Sequence, residues 1–236
     1  MSAGEDFVLF QKRTTKTNKV ILGVKAPQVR QVAKQLSVTN FDWVFDELSN
    51  NVFEIVLIKG FLAAKIADFS RATQIIDKLA DCFDSWAETD MIVPNLAFVK
   101  NNPNKAFGYF EKLTKSSKEF VSRFGIVGLM KYFLDEQHCW QVIDIISRIK
   151  LLDYYVEKAK SWLVSELLIK SKENSPEIME KIISNYNFSE FVIKKSIQKA
   201  NESFRLSPQT KQQLKNLNKW CSGFVFGFQI FICKKK

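Results

Sequence analysis

The most chemically suggestive stretch of the chain is the hexapeptide SWAETD at residues 85–90. If it is helical, Trp86 and Asp90 lie four residues apart and share one face. An indole face attracts a cation and lowers the local polarity, and a carboxylate beside it supplies a negative charge. Breaking a glycosidic bond creates positive charge of this kind. The pair therefore predicts a site that stabilises a developing cation, with Asp90 as the charged group or as the group that orients water.

The other residue types offer little competing chemistry. The single histidine, His138, and the four cysteines do not lie at metal-ligand spacing, and no C-x-x-C pair occurs. The phosphate-binding patterns G-x-x-x-x-G-K-[ST] and G-x-G-x-x-G are absent, as is the nucleophile pattern G-x-S-x-G. We therefore expect no metal and no nucleotide cofactor.

Helices are the elements that would position these residues. The 236 residues include only 8 Gly and 5 Pro, too few for the many tight turns of an all-β fold. Apolar residues recur with a period near 3.6 in the segments 120–134, 154–170 and 191–204. This pattern predicts an all-α protein.

Several of the predicted helices carry start signals. A capping residue followed by proline predicts helices that begin near Pro103, Pro176 and Pro208. The pattern Ser116-x-x-Glu119 predicts a capping box.

An internal repeat appears when aromatic residues at the predicted helix starts are aligned. The intervals between them are 33, 34, 35 and 36 residues. Two helices per unit at such a period predict an α-solenoid of stacked helix pairs. The variable period, and the absence of the tetratricopeptide pattern W-x2-L-G-x2-Y, favour HEAT-like units, with an irregular helical bundle as the alternative. The aligned residues are Phe53, Trp86, Phe120, Tyr155 and Phe191.

The repeat extends the candidate site beyond Trp86 and Asp90. Trp162 lies seven residues after one aligned aromatic, two units from Trp86, and Arg123 lies in the unit between them. In a solenoid these residues would form a strip of one carboxylate, two indoles and one guanidinium. The alternative is that each tryptophan belongs to the core, which is the commoner place for a helical Trp.

Charge is distributed unevenly along the chain. The net charge of +10 predicts an anionic partner, either nucleic acid or a membrane surface. Arg123, Lys158 and Lys194 each follow an aligned aromatic by three residues, so they would line one face, with Lys195 beside them. The alternative is a solvated, lysine-rich surface.

An apolar run sets residues 220–236, an apolar and basic tail, apart from the rest of the chain. The chain starts without a signal peptide, so we expect an intracellular protein, cytoplasmic or, in a eukaryote, nuclear. The tail's apolar run of 14 residues is shorter than the roughly 20 that span a bilayer. A flexible tail, a packed terminal helix or strand and a membrane anchor all stay open, although we expect no membrane and a monomer.

Five blocks of the sequence resemble, in order and spacing, those of the AlkD-like DNA alkylation repair family. The resemblance covers roughly residues 23–219, which implies a HEAT-like repeat domain over this range, a short N-terminal segment at residues 1–22 and a tail at residues 220–236. Its blocks are GVKAPQVRQVAK, SWAETDMIVP, SSKEFVSRFGIVGLMKYFLD, YYVEKAKSWLVSELLIK and IQKANESFRLSPQTKQQLKNLNK.

The resemblance implies a HEAT-like solenoid that holds duplex DNA on a basic concave face. It implies a glycosylase that releases cationic N3- and N7-alkylated purines, which are good leaving groups. By motif, Asp90 matches the catalytic aspartate, Trp86 and Trp162 match the two active-site aromatics, and Arg123 matches an arginine that contacts the DNA backbone.

Two features depart from the family pattern. Active members have a longer N-terminal region with an aromatic-bearing helix ahead of the G-x-x-x-P block, whereas here only 22 residues precede Gly23 and Thr14 is nearest to the expected tyrosine. We therefore expect part of the lesion-recognition surface to be lacking. Pro94 follows Asp90 closely and should end or kink its helix.

Three functions follow from these observations. The first is a DNA N-glycosylase for alkylated purines, the second a DNA-binding family member without glycosylase activity, and the third a protein-interaction scaffold. The basic strip distinguishes the third from the first two, and Asp90 with the two tryptophans distinguishes the first from the second.

Overall fold

The computed structural model describes residues 3–39 and 41–223. Helices dominate these residues, and an isolated bridge between Val20 and Val52 is their only β pairing. The helices are α1 (Ala3–Thr15), α2 (Ala26–Thr39), α3 (Phe41–Glu47), α4 (Phe53–Ala64), α5 (Phe69–Ala80), α6 (Trp86–Ile92), α7 (Phe98–Asn101), α8 (Pro103–Thr114), α9 (Glu119–Tyr132), α10 (Cys139–Ser147), α11 (Tyr154–Ser171), α12 (Ser175–Asn185), α13 (Glu190–Glu202) and α14 (Pro208–Gly223). The predicted all-α fold class is confirmed.

The aligned aromatics mark the starts of the repeat helices. Helices α4 and α6 begin at Phe53 and Trp86, and in α9, α11 and α13 the aligned aromatic is the second residue. Helices α4, α9 and α13 are each followed by a helix that packs against them, whereas α6 is followed by a 3-10 turn and the four-residue α7. Helices pack on their neighbours along the chain, as expected of a solenoid-like fold.

The predicted helix starts are confirmed, but of the three predicted capping residues only Ser207 caps its helix, by accepting from the Thr210 N–H at 3.1 Å. The predicted caps at Asn102 and Ser175 are wrong, because Asn102 makes no side-chain cap bond and Ser175 lies inside α12. Helices α8 and α14 begin at Pro103 and Pro208, and α12 begins one residue before Pro176. Helix α6 ends at Ile92, where a 3-10 turn containing Pro94 follows. The predicted Ser116-x-x-Glu119 capping box is wrong, because the carboxylate of Glu119 binds a backbone N–H of α11 instead.

The chain divides into two compact units, Met1–Ala159 and Lys160–Lys236. Large aromatic side chains fill the core of the first unit, where Phe53, Phe98, Phe110 and Phe124 are almost fully buried. Aliphatic side chains fill the core of the second, including Met179, Ile182 and Leu214. The sequence boundaries after residues 22 and 219 stay predictions, and the tail from residue 224 on lies outside the described residues.

A helix does precede Gly23, since α1 carries Phe7 and Phe10 with their ring centroids 6.4 Å apart. Within residues 3–39 and 41–223, no helix has the length and apolar character needed to cross a membrane.

Close packing of α8 against α9 requires glycine at Gly125. A Cβ at this position would lie 2.7 Å from the carbonyl oxygen of Phe110 and 2.7 Å from the nitrogen of Thr114, both backbone atoms that cannot yield. At Gly108, also helical, a Cβ would meet nothing within 4 Å.

We expect Gly125→Ala to lower the free energy of unfolding by about 1–3 kcal/mol, because α8 and α9 must separate. Gly108→Ala is the matched control, and it should raise stability by up to about 1 kcal/mol through helix propensity alone. Urea denaturation followed by circular dichroism measures both. Equal effects of the two substitutions would contradict the close approach of the helices.

Candidate functional site

A capping box fixes the start of α6, the helix that carries Trp86 and Asp90. The hydroxyl of Ser85 accepts a hydrogen bond from the first turn, and the Glu88 carboxylate accepts from the backbone nitrogens of Asp84, at 2.8 Å, and Ser85, at 3.1 Å. The pattern Ser-x-x-Glu is present in the sequence at this point, so this box was predictable and was missed.

The N-terminal segment is bonded to the start of α6. The Trp86 indole nitrogen donates to the Thr14 carbonyl at 3.0 Å, and the Ser85 hydroxyl donates to the Thr15 carbonyl at 2.9 Å. Thr14, the residue nearest to the tyrosine that the resemblance predicts, therefore orients the Trp86 ring through its backbone carbonyl. Trp86 is half-buried and packs against the core cluster around Phe53 and Leu57.

A buried ion cluster completes this attachment. The Lys19 ammonium lies 2.7 Å from Asp84 and 2.9 Å from the fully buried Glu88. Burial raises the pKa of Glu88, against the attraction of Lys19. For Lys19 burial acts downward, but the hydrogen bond to Asp84 and the charge of Glu88 outweigh it and raise the pKa of Lys19. These ion pairs connect the N-terminal segment to the start of α6.

Asp90 lies one turn after Trp86, in a two-pronged ion pair with Arg123. Arg123 donates from Nε to Oδ1 at 3.0 Å and from its terminal nitrogen Nη2 to Oδ2 at 2.7 Å. The Thr89 hydroxyl lies 2.9 Å from Oδ1 and 2.8 Å from the Trp86 carbonyl oxygen, so its one proton is shared between these two acceptors. The two charged side chains are only 13% and 7% exposed, for Asp90 and Arg123 respectively. Because two parallel hydrogen bonds from a buried guanidinium reach both of its oxygens, the Asp90 carboxylate is held in one orientation.

Arg123 also links the ion pair to the start of α11. Its Nη1 donates to the Tyr155 carbonyl at 2.8 Å, while Glu119, one turn earlier on α9, accepts from the Tyr155 backbone nitrogen at 2.7 Å. Three of the five guanidinium N–H groups thus have protein partners. The Tyr155 ring lies 5.3 Å from that of Phe120, and burial and the nearby Tyr154 raise the pKa of its hydroxyl.

The first unit therefore brings together three of the predicted site residues, Trp86, Asp90 and Arg123. Lys158 belongs to the same unit, with its ammonium 5.6 Å from the centre of the exposed Tyr154 ring. The sequence pattern missed Thr89, Glu119 and Tyr155 as partners. Glu119 and Arg123 are four residues apart on one helix, a spacing that indicates a pair between these two side chains and not the bonds that both make to Tyr155.

The other predicted site residues belong to the second unit. Trp162 is half-buried near the start of that unit. Lys194 pairs with Glu190 at 2.5 Å, one turn earlier on α13, and Lys195 donates to Gln198 at 2.7 Å. Both lysines are only partly buried, so their charge reaches solvent.

The cavities found in the first unit lie away from the Asp90 carboxylate. One of about 640 Å³ is lined by residues such as Thr114, Asp144 and Arg148, and one of about 270 Å³ by Asn50, Lys59 and Lys78. Among the described residues no group of three or more His, Cys, Asp and Glu is placed to hold a metal ion. What the site offers is a carboxylate held by a buried arginine, one helical turn after a half-buried tryptophan.

A family model described as DNA alkylation repair enzyme matches residues 9–200, which is 192 of the 236 residues. A search of curated proteins gave no match. A search of solved structures gave none either.

Proposed function

The chain belongs to the DNA alkylation repair enzyme family, and from this premise we propose that it is a DNA N-glycosylase that releases N3- and N7-alkylated purines from duplex DNA. The observation that carries the proposal is the Asp90 carboxylate, held by Arg123 one helical turn from Trp86.

The proposed reaction needs no strong acid. An alkylated purine is cationic, so when the bond from C1′ to the base nitrogen breaks, its electron pair returns to the purine, which leaves neutral. The sugar becomes oxocarbenium-like, and water then adds to C1′ and loses a proton. Asp90 stabilises the positive charge on the sugar and accepts a hydrogen bond from the attacking water.

The ion pair shapes how Asp90 would act. Arg123 cancels much of the carboxylate's field at long range, so Asp90 acts at close range, through lone pairs that Arg123 and Thr89 leave free. A fixed acceptor avoids reorganisation when the charge develops. In this proposal Arg123 orients the catalytic carboxylate. Its contact with the DNA backbone stays a prediction. Because the Arg123 side chain is only 7% exposed, such a contact could involve only the edge of the guanidinium.

Trp86 and Trp162 are the proposed aromatic partners of the cationic nucleotide. The indole nitrogen of Trp86 is occupied by the Thr14 carbonyl, so its contribution would come from the ring and not from a hydrogen bond to DNA. We carry Trp162 over from the sequence pattern alone.

Binding to duplex DNA is proposed to rest on Lys158, Lys194 and Lys195. Lys158 and Lys194 hold equivalent places in two repeats, and no buried ion pair of the described structure uses either side chain. Phosphate contacts of this kind release counterions, which makes affinity depend on salt.

We expect the logarithm of the affinity to fall by about 0.9 per phosphate contacted for each unit of log salt. Lys158→Glu and Lys194→Glu should each weaken binding for every sequence and make this slope shallower. Fluorescence anisotropy with an unmodified duplex at several salt concentrations measures the effect, with the exposed Lys112→Glu as the charge-matched control. Equal losses for all three variants would show that only net charge matters.

A non-catalytic DNA-binding member is the second candidate, and one observation favours it. Both oxygens of Asp90 already bind Arg123, as they would if the ion pair were purely structural. A purely structural pair predicts DNA binding without base release.

The deciding experiment is a release assay with purified protein. Duplex DNA treated with a methylating agent is incubated with the protein, and free methylpurines are separated and quantified. Release above the spontaneous rate, and none of normal purines from intact duplex, is the expected result. Salt-dependent binding without release would leave the second candidate standing. No binding at low salt would overturn both and favour a protein-interaction scaffold.

A further inference from the structure

A chain of contacts in the first unit connects Asp90 to a residue that no sequence pattern had marked as functional. Glu119 begins α9 and Arg123 lies one turn later on the same helix. Their side chains hold the two ends of one residue of α11, since Glu119 accepts from the Tyr155 N–H at 2.7 Å and Arg123 donates to the Tyr155 carbonyl at 2.8 Å.

Glu119 serves here as a cap for another helix. Tyr155 is the second residue of α11, so its backbone N–H is among those that a helix leaves without an internal partner. A carboxylate at this end is also favoured by the helix dipole. The charge-assisted bond therefore fixes the position of the first turn of α11 relative to α9.

The position of that turn determines where Arg123 points. One side of the guanidinium is held by the Tyr155 carbonyl, and the other holds both oxygens of Asp90. A guanidinium is planar and rigid, so a shift on the Tyr155 side rotates the plane that orients the Asp90 carboxylate. Thr89 constrains only one of those oxygens.

We infer that Glu119 is a positioning residue for Asp90, acting through the Tyr155 peptide groups and Arg123. The inference rests on the proposed glycosylase function, but the mechanical link it describes exists in the folded protein without DNA. It predicts that loss of the Glu119 carboxylate reduces base release while Glu119 itself never contacts DNA.

The first measurement is the single-turnover rate of methylpurine release at saturating enzyme. Glu119→Ala should lower the rate about tenfold, because a misplaced group loses much of the benefit of orientation, and should leave DNA affinity unchanged. Glu119→Gln retains an acceptor for the Tyr155 N–H and should recover most of the rate. In an Asp90→Asn background, Glu119→Ala should cause no further loss, since the group it orients is already missing. Glu111→Ala, which removes a partly exposed carboxylate paired with the exposed Lys115, is the control.

A second readout does not depend on catalysis. The Arg123 Nε–H bonded to Asp90 should give a distinct side-chain signal in the ¹⁵N–¹H spectrum, assigned by its loss in Arg123→Lys. Glu119→Ala should shift this signal or speed its exchange with solvent, whereas Glu111→Ala should leave it in place. If Glu119→Ala fails to fold, Glu119→Asp, whose shorter side chain draws the carboxylate back, is measured instead.

The outcomes separate the inference from the proposed function. An unchanged Arg123 signal in Glu119→Ala, or a normal release rate per folded molecule, would overturn the inference. Absence of release by the unsubstituted protein would overturn the proposed function, while the shifted signal would still establish the link between Glu119 and Arg123.

Discussion

Asp90→Asn is expected to lower the rate of alkylpurine release by roughly 10²–10³-fold, the usual loss when one preorganised electrostatic group is removed. Asparagine keeps the size and one acceptor oxygen but not the charge, and that charge is needed only as the glycosidic bond breaks. DNA affinity should hold or rise slightly, because a carboxylate repels phosphate. Single-turnover release and anisotropy measure the two quantities.

The structure requires that this result be expressed per folded molecule. Asparagine cannot accept both donors of the Arg123 fork, so the variant will also be less stable. Asp144→Asn is the matched control, since Asp144 pairs with Arg148 at 2.7 Å on an exposed surface. Normal release by folded Asp90→Asn protein would remove Asp90 from the mechanism and leave it a structural partner of Arg123.

Arg123→Met should have the largest effect on stability, lowering the free energy of unfolding by about 3–5 kcal/mol. Methionine fills a similar volume but leaves the Asp90 carboxylate, only 13% exposed, without its cation. It also removes the donor to the Tyr155 carbonyl. Urea denaturation followed by circular dichroism measures the loss.

The double variant Asp90→Asn/Arg123→Met isolates the pair. Because the asparagine is neutral, the second substitution should cost much less than it does in the presence of the carboxylate, so the effects are strongly non-additive. Arg148→Met, which removes the cation of an exposed pair, should change stability by no more than about 0.5 kcal/mol. Additive losses at Asp90 and Arg123 would contradict the buried, coupled pair.

Features that depend on neighbouring residues could be determined from the sequence. The aligned aromatics predicted the starts of α4, α6, α9, α11 and α13 to within one residue, because helix starts depend on local capping and periodicity. The placement of Trp86 and Asp90 one turn apart followed in the same way from helix geometry. Pro94 predicted the end of α6 because proline cannot continue a helix.

Two Ser-x-x-Glu patterns in the chain show the limit of prediction from neighbouring residues. Ser85-x-x-Glu88 and Ser116-x-x-Glu119 carry the same pattern, yet only the first forms a box. Glu119 instead meets a free backbone N–H of α11, 36 residues away. A sequence pattern indicates which groups a side chain can bind. Which of the competing partners it does bind depends on which of them lies within hydrogen-bond distance in the folded protein.

The character of the candidate site was likewise decided by the tertiary structure. The sequence predicted Arg123 both in one strip with Asp90 and in contact with the DNA backbone, but it did not predict that the two side chains form a buried, two-pronged ion pair. The N-terminal segment, expected from its length to lack part of a recognition surface, forms α1 and supplies the carbonyl that orients Trp86. Composition and spacing determined which side chains can do chemistry. Their partners were fixed by contacts between distant segments, whose energies depend on burial and geometry that exist only once the helices have packed.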